Sequence, residues 1–198
     1  MLKMRKGSIV PFPEKLSEGY IYRDPMFFAN VDADKIEALL EQFIMLHNEP
    51  LFFILELPCQ QMDEPQSAPG EVEAFHRDVY YIDGCSREKA LDLLRRTAAI
   101  LTNDGLCCFG FGCHFSHDEI MVEKYNVLTL WASNQDTYAG FFEKQNILPQ
   151  DKLVTAWETF TPDATGESIR VDSDGVRIYD LPQMLQSDGI YRGGRRQE

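Results

Sequence analysis

Three segments of the chain repeat one layout: an extended run, a helix start, an amphipathic stretch and a second extended run. In the first, Tyr20 to Arg23 alternates like a strand, and a loop with Pro25 follows. Asp32 or Asp34 can then cap a helix whose Ile36, Leu39, Leu40, Phe43 and Ile44 recur at helical spacing. That helix must stop before Pro50, because the residue preceding a proline avoids the helical region. Leu51 to Leu57 reads as a buried strand ended by Pro58. In the second, Val79 to Ile82 favours a strand, Ser86 is a good N-cap, and Ala90, Leu91, Leu94, Ala98 and Leu101 line one helical face. Asn103, Asp104 and Gly105 then make a turn into a strand over 106–115. The glycines in Phe109-Gly110-Phe111-Gly112 mark a place where another backbone comes close.

The third segment begins with a strand over Tyr125 to Trp131. Ser133 with Asp136 predicts a capped helix through Tyr138, Phe141 and Phe142, and Leu153 to Phe160 reads as a strand. In the tail, Asp174-Gly175 between Ile169–Val171 and Val176–Tyr179 predicts a hairpin. The second and third segments together spell β-α-β-β-α-β, the order of a ferredoxin-like core. The fold class predicted is α+β: a mostly antiparallel sheet with helices on one face, built from β-α-β units, plus a C-terminal hairpin. Residues 1–198 suit a single domain, with 58–75 as a loop rich in proline and acids and 192–198 as a frayed tail.

A hydrophobic fraction of 44% with 26% charged residues belongs to the globular range. The longest apolar run, Leu51 to Leu55, is too short to span a bilayer. Lys3, Arg5 and Lys6 precede no apolar stretch, so no signal peptide is expected. Five cysteines, with Cys107 and Cys108 adjacent, do not make a disulfide framework, and free thiols fit the cytoplasm.

The net charge of −13 is unevenly spread, with one lysine against ten acids in residues 31–75. Clustered Lys and Arg, which a phosphate backbone demands, are confined to the two ends and to Arg95 and Arg96. Direct nucleic-acid binding is therefore disfavoured, and the acidic field suits a basic protein partner. Candidate partner-binding residues are Asp32, Asp34, Glu37, Glu41, Glu64, Glu71, Glu73 and Tyr80, the tyrosine because exposed aromatics beside acids favour protein recognition.

One dense polar cluster stands out, Cys113-His114-Phe115-Ser116-His117-Asp118-Glu119, just after Cys107 and Cys108. Cys113, His114, His117 and Asp118 are metal-ligand types. On a strand, however, two histidines three apart face opposite ways, and no CxxC or HxxxH supplies further ligands. Cys85, just before the second helix, is a candidate thiolate because a helix N-terminus lowers a thiol pKa. No dinucleotide, P-loop, zincin or hydrolase-elbow motif occurs, so no cofactor is predicted. Asp172-Ser173-Asp174-Gly175 only faintly echoes a calcium loop, its glycine two residues early.

In composition alone the chain is similar to the immunity proteins with which bacteria block nuclease-type toxins. Those are small, acidic, single-domain α+β proteins that cover a basic active site. The first reading is thus an acidic cytoplasmic module that binds a basic protein. Its alternatives are an enzyme or ligand-binding protein with a pocket near residues 107–119, and an inactive subunit of a larger complex. The balance favours binding over catalysis.

Overall fold

The structure, a computed structural model, describes residues 1–60 and 75–197. In chain order the elements are β1 (Ser8–Ile9), β2 (Gly19–Arg23), β3 (Met26–Asn30), α1 (Ile36–Leu46), β4 (Leu51–Pro58), β5 (His76–Cys85), α2 (Arg87–Leu101), β6 (Cys108–Cys113), β7 (Glu119–Val122), β8 (Val127–Trp131), β9 (Glu167–Ser168), α3 (Leu181–Met184) and β10 (Tyr191–Gln197). Eight of the strands form one sheet in the order β10-β5-β4-β6-β7-β8-β3-β2, with every neighbouring pair antiparallel. The short strands β1 and β9 pair separately. This is the α+β class with an antiparallel sheet that the helical and strand periodicities predict.

Strand alternation decides which side of the sheet is covered. Leu51, Phe53, Leu55 and Leu57 of β4, Phe109 and Phe111 of β6, Ile120 and Val122 of β7 and Leu128 and Leu130 of β8 all point to one face and are buried there. On that face α1 contributes Ile36, Leu39, Leu40, Phe43 and Ile44, and α2 contributes Ala90, Leu93, Leu94, Ala98 and Leu101. The two helices pack side by side, α1 over β6 and β7 and α2 over β4 and β5. Ser86 caps α2 as predicted, its hydroxyl accepting from the Lys89 N–H at 3.2 Å. The opposite face carries a smaller cluster, Ile54, Val79, Cys108 and Met121 beneath Phe52 and Tyr81, with no helical residue among its members.

The N-terminal basic residues have an unexpected place. Arg5 is buried, and its guanidinium donates to the carbonyls of Leu101 at 2.8 Å, Cys107 at 3.3 Å and Glu123 at 3.1 Å. A cation thus closes the C-terminal end of α2, where the helix dipole favours positive charge.

Several local expectations are corrected. The stretch 133–145 does not form a helix but two 3-10 turns, Gln135–Tyr138 and Glu143–Gln145, because Gly140 adopts φ +72° between aromatic residues that all turn into the core. Asn134 caps the first turn, accepting from the Asp136 N–H, in place of Ser133. Residues 153–160 are not a strand: Thr155 and Glu158 form a capping box that starts a 3-10 turn over Ala156–Thr159. The β-α-β-β-α-β order is therefore present only in its first half. There β5 and β6 run parallel with β4 between them, and β6, β7 and β8 continue as a meander.

The predicted tail hairpin reduces to its turn. Asp174 and Gly175 both have positive φ and Ser173 bridges Val176, but the flanks diverge: Ser168 pairs with Ser8, and Ile178 enters the core. Residues 191–197, read as frayed from 192 onward, form the edge strand β10 against β5, held by Arg192 and Arg195 on Asp78. Most of the 58–75 loop lies outside the described residues. Among the described residues no helix is long and apolar enough to cross a membrane.

Candidate functional site

The turn between β6 and β7 organises the polar residues that the sequence analysis singled out. The Cys113 N–H donates to the Asp118 carbonyl and the His117 N–H to the Cys113 carbonyl, both at 2.9 Å, and His117 takes φ 62°. This tight closure sends neighbouring side chains to opposite sides of the sheet.

On the outer side, Cys113, His114 and His117 line a cleft of about 380 Å³ together with Phe52, Tyr81, Asp83 and Tyr191. His114 Nε2 lies 3.1 Å from Asp83 Oδ1, and the Tyr191 hydroxyl donates to Asp83 Oδ2, which raises the phenol pKa. The Phe52 and His114 ring centroids are 4.6 Å apart. Glycine makes this floor possible. The Phe52 ring lies over Gly112, where an added Cβ would come 2.0 Å from Cζ, and the Tyr81 ring lies over Gly193. The expected close backbone approach occurs one step away, at Gly110, where a Cβ would meet the Ile120 carbonyl oxygen at 1.9 Å.

On the inner side is a buried relay. The Tyr138 hydroxyl donates to Asp118 Oδ2 at 2.9 Å, and Asp118 Oδ1 accepts from the Ser133 N–H at 2.6 Å. His47 Nε2 lies 2.8 Å from the same Tyr138 hydroxyl, and His47 Nδ1 lies 3.4 Å from Ser116 Oγ. Tyr138 has one proton, committed to Asp118, and burial followed by the Asp118 charge pushes its pKa strongly up. The hydroxyl oxygen must therefore accept from His47 Nε2–H, which leaves Nδ1 bare and facing Ser116. Burial lowers the His47 pKa, against an opposing pull from Asp118, and favours the neutral imidazole this tautomer requires.

Of the four metal-ligand candidates, three, Cys113, His114 and His117, border the same cleft and one does not. His114 and His117 face the cleft, Asp118 is turned inward, and the buried Cys113 thiol donates to the Asn48 carbonyl at 3.3 Å. No group of three His, Cys, Asp or Glu side chains able to hold a metal is present among the described residues. Cys85 does not behave as a helix-activated thiolate: it is buried, and desolvation outweighs nearby Lys89 and raises its pKa. Burial likewise pushes Cys107 up to about 11.

The acidic candidates do not converge on Tyr80. Asp34 pairs with Lys3 at 2.6 Å, Asp32 accepts from the Lys3 N–H, and Glu37 and Glu41 are exposed on α1. Tyr80 packs partly against the main core from β5, on which α2 rests, whereas the four described acids lie on or just before α1. Glu64, Glu71 and Glu73 lie outside the described residues. Two acids instead occupy the second face of the sheet. Glu56 is buried with Arg77 and Arg196 beside it. Glu119 is half-buried, paired across the strands with Gly112 and Trp131, and has no hydrogen-bond or ion-pair partner among the described residues. Burial raises the Glu119 pKa, Glu123 adds to the rise, and Arg196 opposes it.

Sequence reasoning missed His47, Ser116 and Tyr138 as a unit. His47 stands 69 and 91 positions from Ser116 and Tyr138, and no local pattern links them. Comparison of the chain with protein-family models, with curated proteins and with solved structures finds no significant match.

Proposed function

We propose that the protein is a recognition module that binds a basic segment of a partner protein on the second face of its sheet. The observation that carries this reading is Glu119, a half-buried carboxylate set between the Phe52 ring over Gly112 and the 46% exposed Trp131, with no partner among the described residues. Withdrawing a carboxylate from water is costly, and a lysine or arginine brought by a partner offsets that cost. Neighbouring rings add cation–π attraction, worth about 0.5–2 kcal/mol per contact. Asp83, at the mouth of the aromatic cleft, supplies a second acidic anchor.

Aromatic residues with few, well-placed charges are the composition of an interface core. The net charge of −13 speeds encounter with a basic protein. A nuclease-type toxin of the kind that acidic bacterial immunity proteins neutralise is the partner this chemistry fits, and the free thiols suit such a role in the cytoplasm.

The test is a titration with a short Arg/Lys peptide, and an acidic peptide of equal length as control, in a Trp157→Phe background where Trp131 alone fluoresces. The expected result is a saturable change with the basic peptide only, weakened about tenfold by Glu119→Gln, a loss of about 1.4 kcal/mol. No response, or equal affinity in the Glu119→Gln protein, overturns the reading.

A further inference from the structure

The buried relay ends on a hydroxyl, and that end is chemically different from a satisfied core network. Ser116 is only partly buried, at the tip of the β6–β7 turn, and its Oγ lies 3.4 Å from His47 Nδ1, the ring nitrogen that the Tyr138 contact to Nε2 leaves as the acceptor. We infer that Ser116 is a nucleophile, with His47 as its general base and Tyr138–Asp118 as the pair that fixes the imidazole tautomer, acting on a small ester with an apolar acyl group.

Each required part is present. A base must bear its lone pair toward the hydroxyl, and Tyr138 forces this by occupying Nε2. The base must be held, and Asp118 is itself anchored by the Ser133 N–H, while the His47 carbonyl accepts from Arg87 Nη2 at 2.8 Å. The separation of 3.4 Å between Oγ and Nδ1 is long, as is common before substrate tightens a catalytic hydrogen bond. An oxyanion needs donors, and the backbone N–H groups of Phe115 and Ser116 have no acceptor among the described residues, whereas those of His114, His117 and Asp118 are all used. The acyl group needs an apolar contact, and the Phe115 ring stands 76% exposed beside the nucleophile. The order is that of a Ser-His-acid triad with a tyrosine inserted between base and acid.

The chemistry balances without a further reagent. Ser116 Oγ bonds to the ester carbonyl carbon, its proton passes to His47 Nδ1, and the carbonyl electron pair moves to the oxygen facing the Phe115 and Ser116 amides. Collapse breaks the bond to the alcohol, which leaves with the proton from Nδ1. Water then repeats the sequence, releasing the acid and restoring the Ser116 hydroxyl.

A fluorophosphonate probe tests this directly, since it loses fluoride as the Ser116–phosphorus bond forms. The intact protein is incubated with the probe and the adduct located by mass spectrometry of its peptides. Expected is one adduct, on Ser116, abolished in Ser116→Ala and formed about 100-fold more slowly in Tyr138→Phe, a typical contribution from general-base assistance. The pH profile of labelling then also changes in Tyr138→Phe, which a merely structural tyrosine would not cause. Because the wild-type adduct is read first, an unfolded variant does not blunt the test. No adduct on wild-type Ser116, or adducts spread over several serines, overturns the inference.

Discussion

His47 Nε2 lies 2.8 Å from the Tyr138 hydroxyl, so the end of α1 is tied to the region after β8 through a histidine whose pKa burial lowers. The consequence is a pH dependence with a definite sign. A histidine whose folded pKa is lowered binds fewer protons than the unfolded chain. Its cost is therefore absent above the ordinary value of 6.5 and grows as pH falls from there toward the lowered folded value. Urea denaturation of wild type is expected to show stability dropping below pH 6.5, and His47→Gln is expected to flatten that drop while losing about 1–3 kcal/mol at neutral pH from the broken buried hydrogen bonds. An unchanged slope in the variant counts against the neutral assignment.

Gly110 and Gly112 make a contrasting pair. An added methyl at Gly112 meets the far end of the Phe52 ring, which can swing into the cleft, whereas one at Gly110 meets the backbone carbonyl of Ile120. Gly112→Ala should cost about 1 kcal/mol, and Gly110→Ala about 3 kcal/mol as the β6–β7 pairing is forced apart. In a Phe52→Ala background the Gly112→Ala cost should vanish and the Gly110→Ala cost persist, a non-additivity that chemical denaturation resolves.

Arg5 provides the third test. Arg5→Ala leaves the Leu101 and Cys107 carbonyls without their buried donor, and a loss of about 2–4 kcal/mol is expected in equilibrium unfolding. Arg5→Lys should recover little, because one ammonium cannot reproduce a planar fork that reaches three carbonyls. Full recovery by lysine would mean that charge alone matters at this position.

Local patterns in the chain were enough for α1, α2, β2, β4, β5 and the Ser86 cap, because each rests on a periodicity or a capping side chain within a few residues. They misread 133–160, where Tyr138, Phe141 and Phe142 mimic a helical face over a single turn that Gly140 ends. The polar stretch 113–119 was visible as a cluster, but its division was not: Asp118 belongs with His47 and Tyr138, and His114 with Asp83 and Phe52.

From its order of residues alone the protein was committed to an α+β fold, an acidic surface and an apolar face on each long helix. Hydrophobic periodicity and charge are properties of neighbouring residues, and they survive reading in one dimension. Only the tertiary structure decided that β4 lies between β5 and β6, that Arg192 and Arg195 pin β10 to Asp78 instead of fraying, and that Glu119 sits across the strands from Gly112 and Trp131 with no hydrogen-bond or ion-pair partner among the described residues. It also decided that His47 Nδ1 lies 3.4 Å from Ser116 Oγ. Those contacts join residues far apart in the chain, and their energies depend on burial and on which proton each partner holds, quantities that exist only once the sheet has closed.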